Sequence, residues 1–448
     1  MALAGAGAGI TELTALAATS ELVPTGKRGA YVAVVISSIL LFCPSNLWAQ
    51  LISTHSSWRY VGLLCALWSF IGFVLIAVFY FPPPRVNSLG LSRREILTQI
   101  DIVGGLLSTS GIILFIGGLV WGGNQVHIIF TVRLAILFLI SFLQYEWTSA
   151  HAIAPLIIGA MLIVAFVLWE IYGAKFPMFP SRLGREPRTF VLTLVIIFVS
   201  GVNFFSVLVF WPTQSFNVYG HAPIGLGIRG LPPPFGTLGG ALIVLWLLTK
   251  FRGGIRWLMI ISCCLMTAGC GAMASANLNN LNAVYAFIFI ASLGIGGIVV
   301  PASIITTIIC PDELIATVTS LTLTIRVLGG SIGYAIYYNI LSNKLVPKLT
   351  SSIISVSVKN HIVDPKIIEE ITVFTAGGLL DQILHLPGVD GNVTIWNELV
   401  TAGKESYAYA YTYVYFASIA FGVISLIASI FLGDISKYMD DHVAVVIK

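Results

Sequence analysis

Charged residues are scarce in this chain. Only 9% of its 448 residues are Asp, Glu, Lys or Arg, whereas soluble domains average about 25%. Hydrophobic residues make up 57%, and the mean hydropathy is +0.95. The formal net charge of +4 is small and comes from basic loops, so nucleic acid is not an expected partner. The composition excludes an ordinary soluble core and predicts an all-α protein that crosses a lipid bilayer many times.

Sequence signatures of enzymes are also missing. The chain contains no Gly-x-Ser-x-Gly, no nucleotide-binding P-loop and no His-Glu-x-x-His. Residues 225–230 match Gly-x-Gly-x-x-Gly, but no strand precedes them and three prolines follow, so they are not a dinucleotide site. The six cysteines lie in or beside apolar runs, which favours small buried hydrophobes over a disulfide or metal set. We expect no enzyme, cofactor or metal, and transport driven by an ion gradient rather than by ATP.

Long apolar segments dominate the chain instead. Because a spanning helix needs about 20 apolar residues, we predict eleven spans: 2–20, 30–52, 60–81, 102–122, 152–172, 189–212, 223–248, 257–276, 283–309, 316–342 and 408–433.

Basic residues orient these spans, since they concentrate in cytoplasmic loops. With the first segment running inwards, the alternate loops hold Lys27, Arg28, Arg85, Arg93, Arg94, Lys175, Arg182, Arg185, Arg188, Lys250, Arg252 and Arg256. The tail 434–448 is then cytoplasmic. The segment 343–407 becomes a long outside loop of mixed charge, and it holds the glycosylation candidate Asn392 in Asn392-Val393-Thr394.

Two segments depart from the pattern. The chain begins inside an apolar run that has no basic lead-in, and we expect further residues upstream. The apolar run 126–144 would reverse every later loop if it spanned the bilayer. It begins with Val126 and ends with Gln144, whose codons can supply the GT start and the CAG end of an intron. One hypothesis is therefore a retained intron. The alternative is a re-entrant or interfacial hairpin on the outer side.

Two intramembrane charges are the first functional candidates, because charge within a bilayer is costly and usually functional. Arg326 lies near the middle of an apolar segment. It is expected to pair with solute or with a carboxylate in a central cavity, or else to brace neighbouring helices through carbonyls. Glu12 lies within a small, apolar helix. It is expected to carry a proton, or else to make a helix-packing hydrogen bond.

Other polar residues carry weaker predictions. Arg229 is expected either to attract polar solutes or to snorkel to the interface. Asn46 and Gln50 are one helical turn apart, and they either line a solute pathway or form interhelical hydrogen bonds. Glu170 and Asp101 lie near cytoplasmic helix ends. They are expected either to form salt bridges that gate the pathway or to anchor the helices at the interface.

Several motifs, in order, resemble a transporter family. They are residues 7–29, Ser57-Trp-Arg-Tyr60, residues 222–240, Gly294-Ile-Gly-Gly-Ile-Val-Val-Pro301, Pro311-Asp-Glu313 and Arg326-Val-Leu-Gly-Gly-Ser-Ile-Gly333. Together they resemble the 14-helix drug:proton antiporters of the major facilitator superfamily, above all the fungal trichothecene efflux pump family, with siderophore-iron transporters next. Aligned this way, about eleven of fourteen helices are present. The family's gating motif between helices two and three has no match, and residues 250–256 resemble a degenerate counterpart.

The resemblance implies domains and further site residues. Residues 1–81 correspond to family helices four to six, 102–172 to two linker helices, and 189–433 to the C-terminal bundle. Pro44 corresponds to a helix-five proline, although the glycine spacing of the antiporter motif is absent. Gly329, Gly330 and Gly333 are expected to let helices pack closely or bend.

The implied activity is proton-coupled export of a small organic molecule, such as a toxin, drug or secondary metabolite, by a monomer. The family favours the plasma membrane over the vacuole. Proton-coupled import of ferric siderophores is the alternative, and a non-transporting, truncated membrane protein is the third interpretation.

Overall fold

The computed structural model describes residues 2–81, 101–122, 147–178 and 186–443. The run 126–144, predicted as a retained intron or an outer hairpin, lies outside them, as do Arg93 and Arg94. The described residues are helical and contain no strand. The helices are α1 (Ala2–Leu22), α2 (Arg28–Ser37), α3 (Ser45–His55), α4 (Arg59–Phe79), α5 (Ile102–Trp121), α6 (Ala150–Leu168), α7 (Pro187–Phe205), α8 (Trp211–Tyr219), α9 (Pro223–Arg229), α10 (Pro232–Lys250), α11 (Ile255–Ala272), α12 (Leu281–Val299), α13 (Pro301–Ile309), α14 (Ile315–Lys359), α15 (Pro365–Ala376), α16 (Leu380–Ile383) and α17 (Val393–Ile430).

Ten helical segments of the described chain are long and apolar enough to cross a membrane. Each of the predicted spans from 30–52 onwards overlaps one of them. The eleventh, 2–20, does form a helix, Ala2–Leu22, but is not among the ten. Its Gly, Thr and Glu residues offset the apolar Ala and Leu, and its first half is almost entirely exposed. The chain is an integral, multi-pass membrane protein.

We call helices α1–α4 the first bundle and helices α7–α17 the second bundle, and between them in the chain α5 and α6 pack against each other as a pair. The main hydrophobic core lies in the second bundle, where α12 packs between α10 and α11, and α14 packs against α7 and α17. The first bundle meets it where α1 contacts α14 and α2 contacts α10. The helix pair is joined by Asp101, which caps α5 at Gly104 N (2.9 Å) and accepts a hydrogen bond from Trp169 of the turn after α6.

A proline divides the second predicted span. Helix α2 ends at Ser37, a short 3₁₀ turn follows, and Pro44 is the N-cap residue of α3. Proline removes a backbone donor and cannot continue a regular helix, so the break falls where the sequence places it.

Residues 343–407 are not a loop. Helix α14 has 45 residues and is therefore about 67 Å long at 1.5 Å per residue, well beyond a hydrocarbon layer of about 30 Å. Its end packs with α15, α16 and the start of α17. This folded segment, which we call the cap (residues 343–407), has a core of its own formed by Leu349, Ile353, Ile362, Ile371, Ile383, Leu386, Val389 and Leu399. A loop was predicted because the segment has mixed charge, although its apolar residues have the spacing of helices.

Candidate functional site

The two charges predicted to lie within the membrane form an ion pair. Arg326 Nη2 of α14 lies 2.5 Å from Glu12 Oε1 of α1. The Arg326 side chain is 12% exposed and the Glu12 side chain 46% exposed. The pair therefore joins the two bundles, with its carboxylate on the more open side. Arg326 was expected either to pair with solute or a carboxylate or to brace helices through carbonyls. The contact that its guanidinium makes is with a carboxylate, that of Glu12.

Close helix crossing positions this arginine. Gly201 of α7 lies against the backbone carbonyl of Arg326, and Gly329 of α14 lies against the backbone of Phe198. One turn further, Gly333 contacts Val202, while Gly330 contacts the ring of Phe205. A Cβ atom at Gly201 or Gly329 would overlap a carbonyl oxygen of the opposite helix. These glycines therefore set the separation of α7 and α14, as small residues do between membrane helices.

Buried hydrogen bonds extend the contact of α7 and α8 with α14 and α17. Tyr337 donates to Asn203 Oδ1 (3.0 Å), and Tyr415 donates to Gln214 Oε1 (2.7 Å). Between Asn203 and Gln214 the helix widens into a π-helical turn, Ser206–Phe210, a distortion that is common at functional sites. These hydrogen bonds were not predicted, although Asn203 and Gln214 are polar residues in an apolar segment. Tyr337 is fully buried by packing.

Asn46 and Gln50 line a cavity between the bundles. It has a volume of about 260 Å³. On the second bundle its walls are Trp211, Pro212, Thr213, Ser215, Phe216, Asn217, Leu226 and Gly230. Every one of these side chains is uncharged, and the hydroxyl of Ser215 is buried with no hydrogen-bond partner among the described residues. The cavity can therefore accept an uncharged molecule that offers hydrogen-bonding groups.

Arg229 neither lines this cavity nor snorkels to water. It is 6% exposed, and its guanidinium donates to the carbonyl oxygens of Gly225 (Nε, 3.0 Å), Ser215 (Nη1, 3.3 Å) and Gly220 (Nη2, 3.0 Å). Its own carbonyl accepts a hydrogen bond from Trp211 (2.8 Å). The arginine ties α9 to α8, because the turn at Gly220 leaves carbonyls that no helix satisfies.

Two further candidates make local contacts. Glu170 accepts a hydrogen bond from the backbone of Met178 (3.0 Å), and Lys175 lies over the ring of Phe176.

Four cysteines are buried, whereas Cys65 and Cys264 are exposed. In the described ranges no three His, Cys, Asp or Glu side chains are grouped in a way that would hold a metal ion.

Asn392 is the N-cap residue of α17. Its Oδ1 accepts from Thr394 N (2.9 Å) and Ile395 N (3.4 Å), and both Asn392 and Thr394 are exposed. The N-cap hydrogen bonds use the side-chain oxygen of Asn392, whereas a glycan bonds to its side-chain nitrogen. Asn392 can therefore begin the helix and carry a glycan at the same time.

We expect Asn392 to be glycosylated if the cap faces outwards. Thr394→Ala should abolish the gel shift produced by glycosidase. The change removes the sequon but leaves Asn392 as the N-cap residue of α17. Thr394→Ser, which keeps the sequon, is the matched control. A shift that survives in Thr394→Ala would contradict the assignment.

Comparison with known proteins places this arrangement in a family. The model of the fungal trichothecene efflux pump (TRI12) family matches residues 1–448. The chain belongs to this family. It is 28% identical over 404 residues to the trichothecene efflux pump TRI12 of Fusarium sporotrichioides, covering 88% of this chain and 63% of that pump.

Two further relatives show a similar likeness. The chain is 27% identical over 409 residues to TRI12 of Trichoderma arundinaceum (88% of this chain, 64% of the relative). It is 23% identical over 427 residues to the MFS-type transporter prx5 of Penicillium rubens (93% and 71%). The chain thus spans less than two thirds of the length of both trichothecene pumps. The family consists of major facilitator transporters rather than enzymes, and the all-helical architecture agrees with that fold.

Proposed function

We propose that the chain is a proton-coupled secondary transporter that exports a small organic molecule, such as a toxin, a drug or a secondary metabolite. The observation that carries the proposal is the ion pair between Glu12 and Arg326, which links the two bundles. Family membership supports the export direction, since the relatives' names are those of efflux pumps. No described contact favours siderophore import.

Proton coupling follows from the chemistry of the pair. Protonation of Glu12 removes the negative charge that Arg326 contacts, so the pair weakens and α1 is free to move relative to α14. Loss of the proton restores the attraction. Because Glu12 is about half exposed, protons reach it without unfolding of either helix. Rocking of two bundles about a central site is the general mechanism of this transporter class.

The cavity lined by Asn46 and Gln50 supplies the solute site of the proposal. It lies between bundles that must move during transport, and its amide groups recognise polar atoms while Trp211 and Phe216 contact apolar surface. Arg229 holds the shape of the wall through Ser215 and Trp211 rather than binding solute. We further propose that the chain acts as a monomer in the plasma membrane.

Inside-out vesicles containing the full chain test this function. With an acidic lumen, vesicles should accumulate a labelled trichothecene, and a protonophore should abolish the accumulation. Absence of any proton-dependent flux, with the chain present in the membrane, would favour the non-transporting interpretation.

Glu12→Gln should separate proton coupling from solute binding. We expect accumulation driven by the pH gradient to fall to background, because glutamine cannot exchange a proton. Exchange of labelled for unlabelled solute should persist. Glu405→Gln, which alters an exposed carboxylate of the cap, is the control and should leave both activities unchanged. Gradient-driven accumulation by Glu12→Gln would remove Glu12 from the coupling step.

A further inference from the structure

Residues 434–442 form a strap across the end of the molecule that carries the predicted cytoplasmic loops. The strap is anchored on the second bundle by Ile435 and Met439, which are 0% and 4% exposed and join its core. Lys437 pairs with Glu186, and the hydroxyl of Tyr438 donates to the same carboxylate (3.2 Å). The tail therefore belongs structurally to the second bundle.

Residues 440–442 of the strap bind the first bundle. The backbone N–H groups of Thr25 and Gly26, in the turn between α1 and α2, donate to the carbonyls of His442 (3.1 Å) and Asp440 (2.8 Å). The Thr25 hydroxyl donates its one proton to Asp440, whose Oδ1 (2.6 Å) and carbonyl oxygen (2.9 Å) are both within reach, and its oxygen accepts from Asp440 N (3.2 Å). Two backbone hydrogen bonds and the bonds of the Thr25 hydroxyl thus cross from one bundle to the other at this short turn.

Two loops of the second bundle hold the strap in this position. Arg252 Nη1 donates to the carbonyl of Met439 (3.0 Å), and His442 Nε2 lies 2.6 Å from Asp312 Oδ2. The Thr25 hydroxyl and the backbone N–H of His442 hold the pKa of Asp440 below its ordinary value, and the Lys437 ammonium does the same for Glu186. Both carboxylates are therefore charged at neutral pH, and their contribution is lost only as pH falls through the lowered pKa values.

Arg28 is buried where the two bundles meet at this end. It begins α2 in the first bundle, is 0% exposed, and donates Nη1 to the carbonyl of Thr307 at the end of α13 (2.6 Å). Its Nε and Nη2 are buried with no hydrogen-bond partner among the described residues. Cys310, Asp312, Asp440 and Glu21 favour its charged form, but attraction does not replace missing hydrogen bonds. A desolvated guanidinium with unused donors favours any state in which water can reach it.

We infer that the strap is a latch that holds the two bundles together at this end of the molecule, and that burial of Arg28 drives the same end to open. The inference rests on the proposed function, because only a transporter that alternates needs such an opening. The two elements act on one equilibrium with opposite signs: the strap stabilises the closed state, and the guanidinium destabilises it. Transport then requires that neither dominates.

Hydrogen exchange of the full chain in lipid nanodiscs tests the inference without any transported solute. The amides of Thr25 and Gly26 are protected by the strap itself, so the peptide containing them reports its release directly. Thr25→Val keeps the side-chain shape but removes the hydroxyl, and should raise exchange of this peptide about tenfold. Thr25→Ser should retain protection. Arg28→Met should lower exchange below that of the unmodified chain, and should return the Thr25→Val chain towards it.

Lys27→Met is the matched control for charge, since Lys27 is an exposed neighbour in the same turn and should have no effect. Protection of α12, within the core, verifies that each variant is folded. Unchanged exchange in Thr25→Val would overturn the latch. Faster exchange in folded Arg28→Met would overturn the opening role, because it would mean that the arginine holds this end closed. Neither outcome depends on whether the chain exports anything, so failure here is distinct from failure of the proposed function.

Discussion

Transport by the Arg326→Ala chain is expected to be at least about 30-fold slower than that of the unmodified chain, with its level in the membrane unchanged. Breaking a buried ion pair costs about 3–5 kcal/mol. Because Glu12 is half exposed, solvent screening reduces that to roughly 2 kcal/mol, which is a factor of about 30 in an equilibrium. The affected equilibrium is the docking of α1 on α14, on which coupling depends. Initial rates of proton-driven accumulation in vesicles measure the loss.

Two controls isolate the pair. Arg256→Ala removes an exposed arginine from α11 and should transport normally. In thermal unfolding, combining Arg326→Ala with Glu12→Gln should lower stability no further than Arg326→Ala alone, because both changes remove the same contact. Normal flux in Arg326→Ala would refute the role of this residue, and a further loss of stability in the double variant would mean that the two side chains act separately.

Intramembrane charge and proline were sufficient to predict part of this architecture. Glu12 and Arg326 stand out because charge is rare in apolar segments, and Pro44 breaks its helix for a local, backbone reason. The sequence did not indicate that the two charges contact each other, since 314 residues separate them. Hydropathy predicts that a segment is a membrane helix, but not which of its faces meets which neighbour.

Long-range contacts explain the other differences. Arg229 was expected either to attract polar solutes or to snorkel to the interface, but it donates to carbonyls at the turn of Gly220. The cap was expected as a loop because mixed charge hides its apolar spacing. The tail was predicted only as a cytoplasmic segment, since its strap depends on the turn at Thr25, more than 400 residues away. In each case the deciding partner lies in another element of the chain.

Valine at Gly201 or Gly329 is expected to impair both stability and transport. A Cβ atom at either position would overlap a carbonyl oxygen of the opposite helix, and neither backbone can move aside without separating α7 from α14. Overpacking of this kind costs about 1–3 kcal/mol, and a corresponding fall in Tm of about 5 °C is expected. Separation of the helices also moves Arg326, whose carbonyl lies at Gly201, away from Glu12. Thermal unfolding in detergent and vesicle flux measure the two effects.

Gly239→Val provides the comparison for these variants. Gly239 also lies within a membrane helix, α10, but a Cβ atom there would meet nothing within 4 Å. The valine change therefore has the same effect on helix propensity without the clash, and should leave Tm and flux near those of the unmodified chain. Equal losses in Gly239→Val and Gly201→Val would mean that valine itself is the cause. Normal flux in Gly201→Val would mean that Arg326 does not depend on the close crossing of α7 and α14.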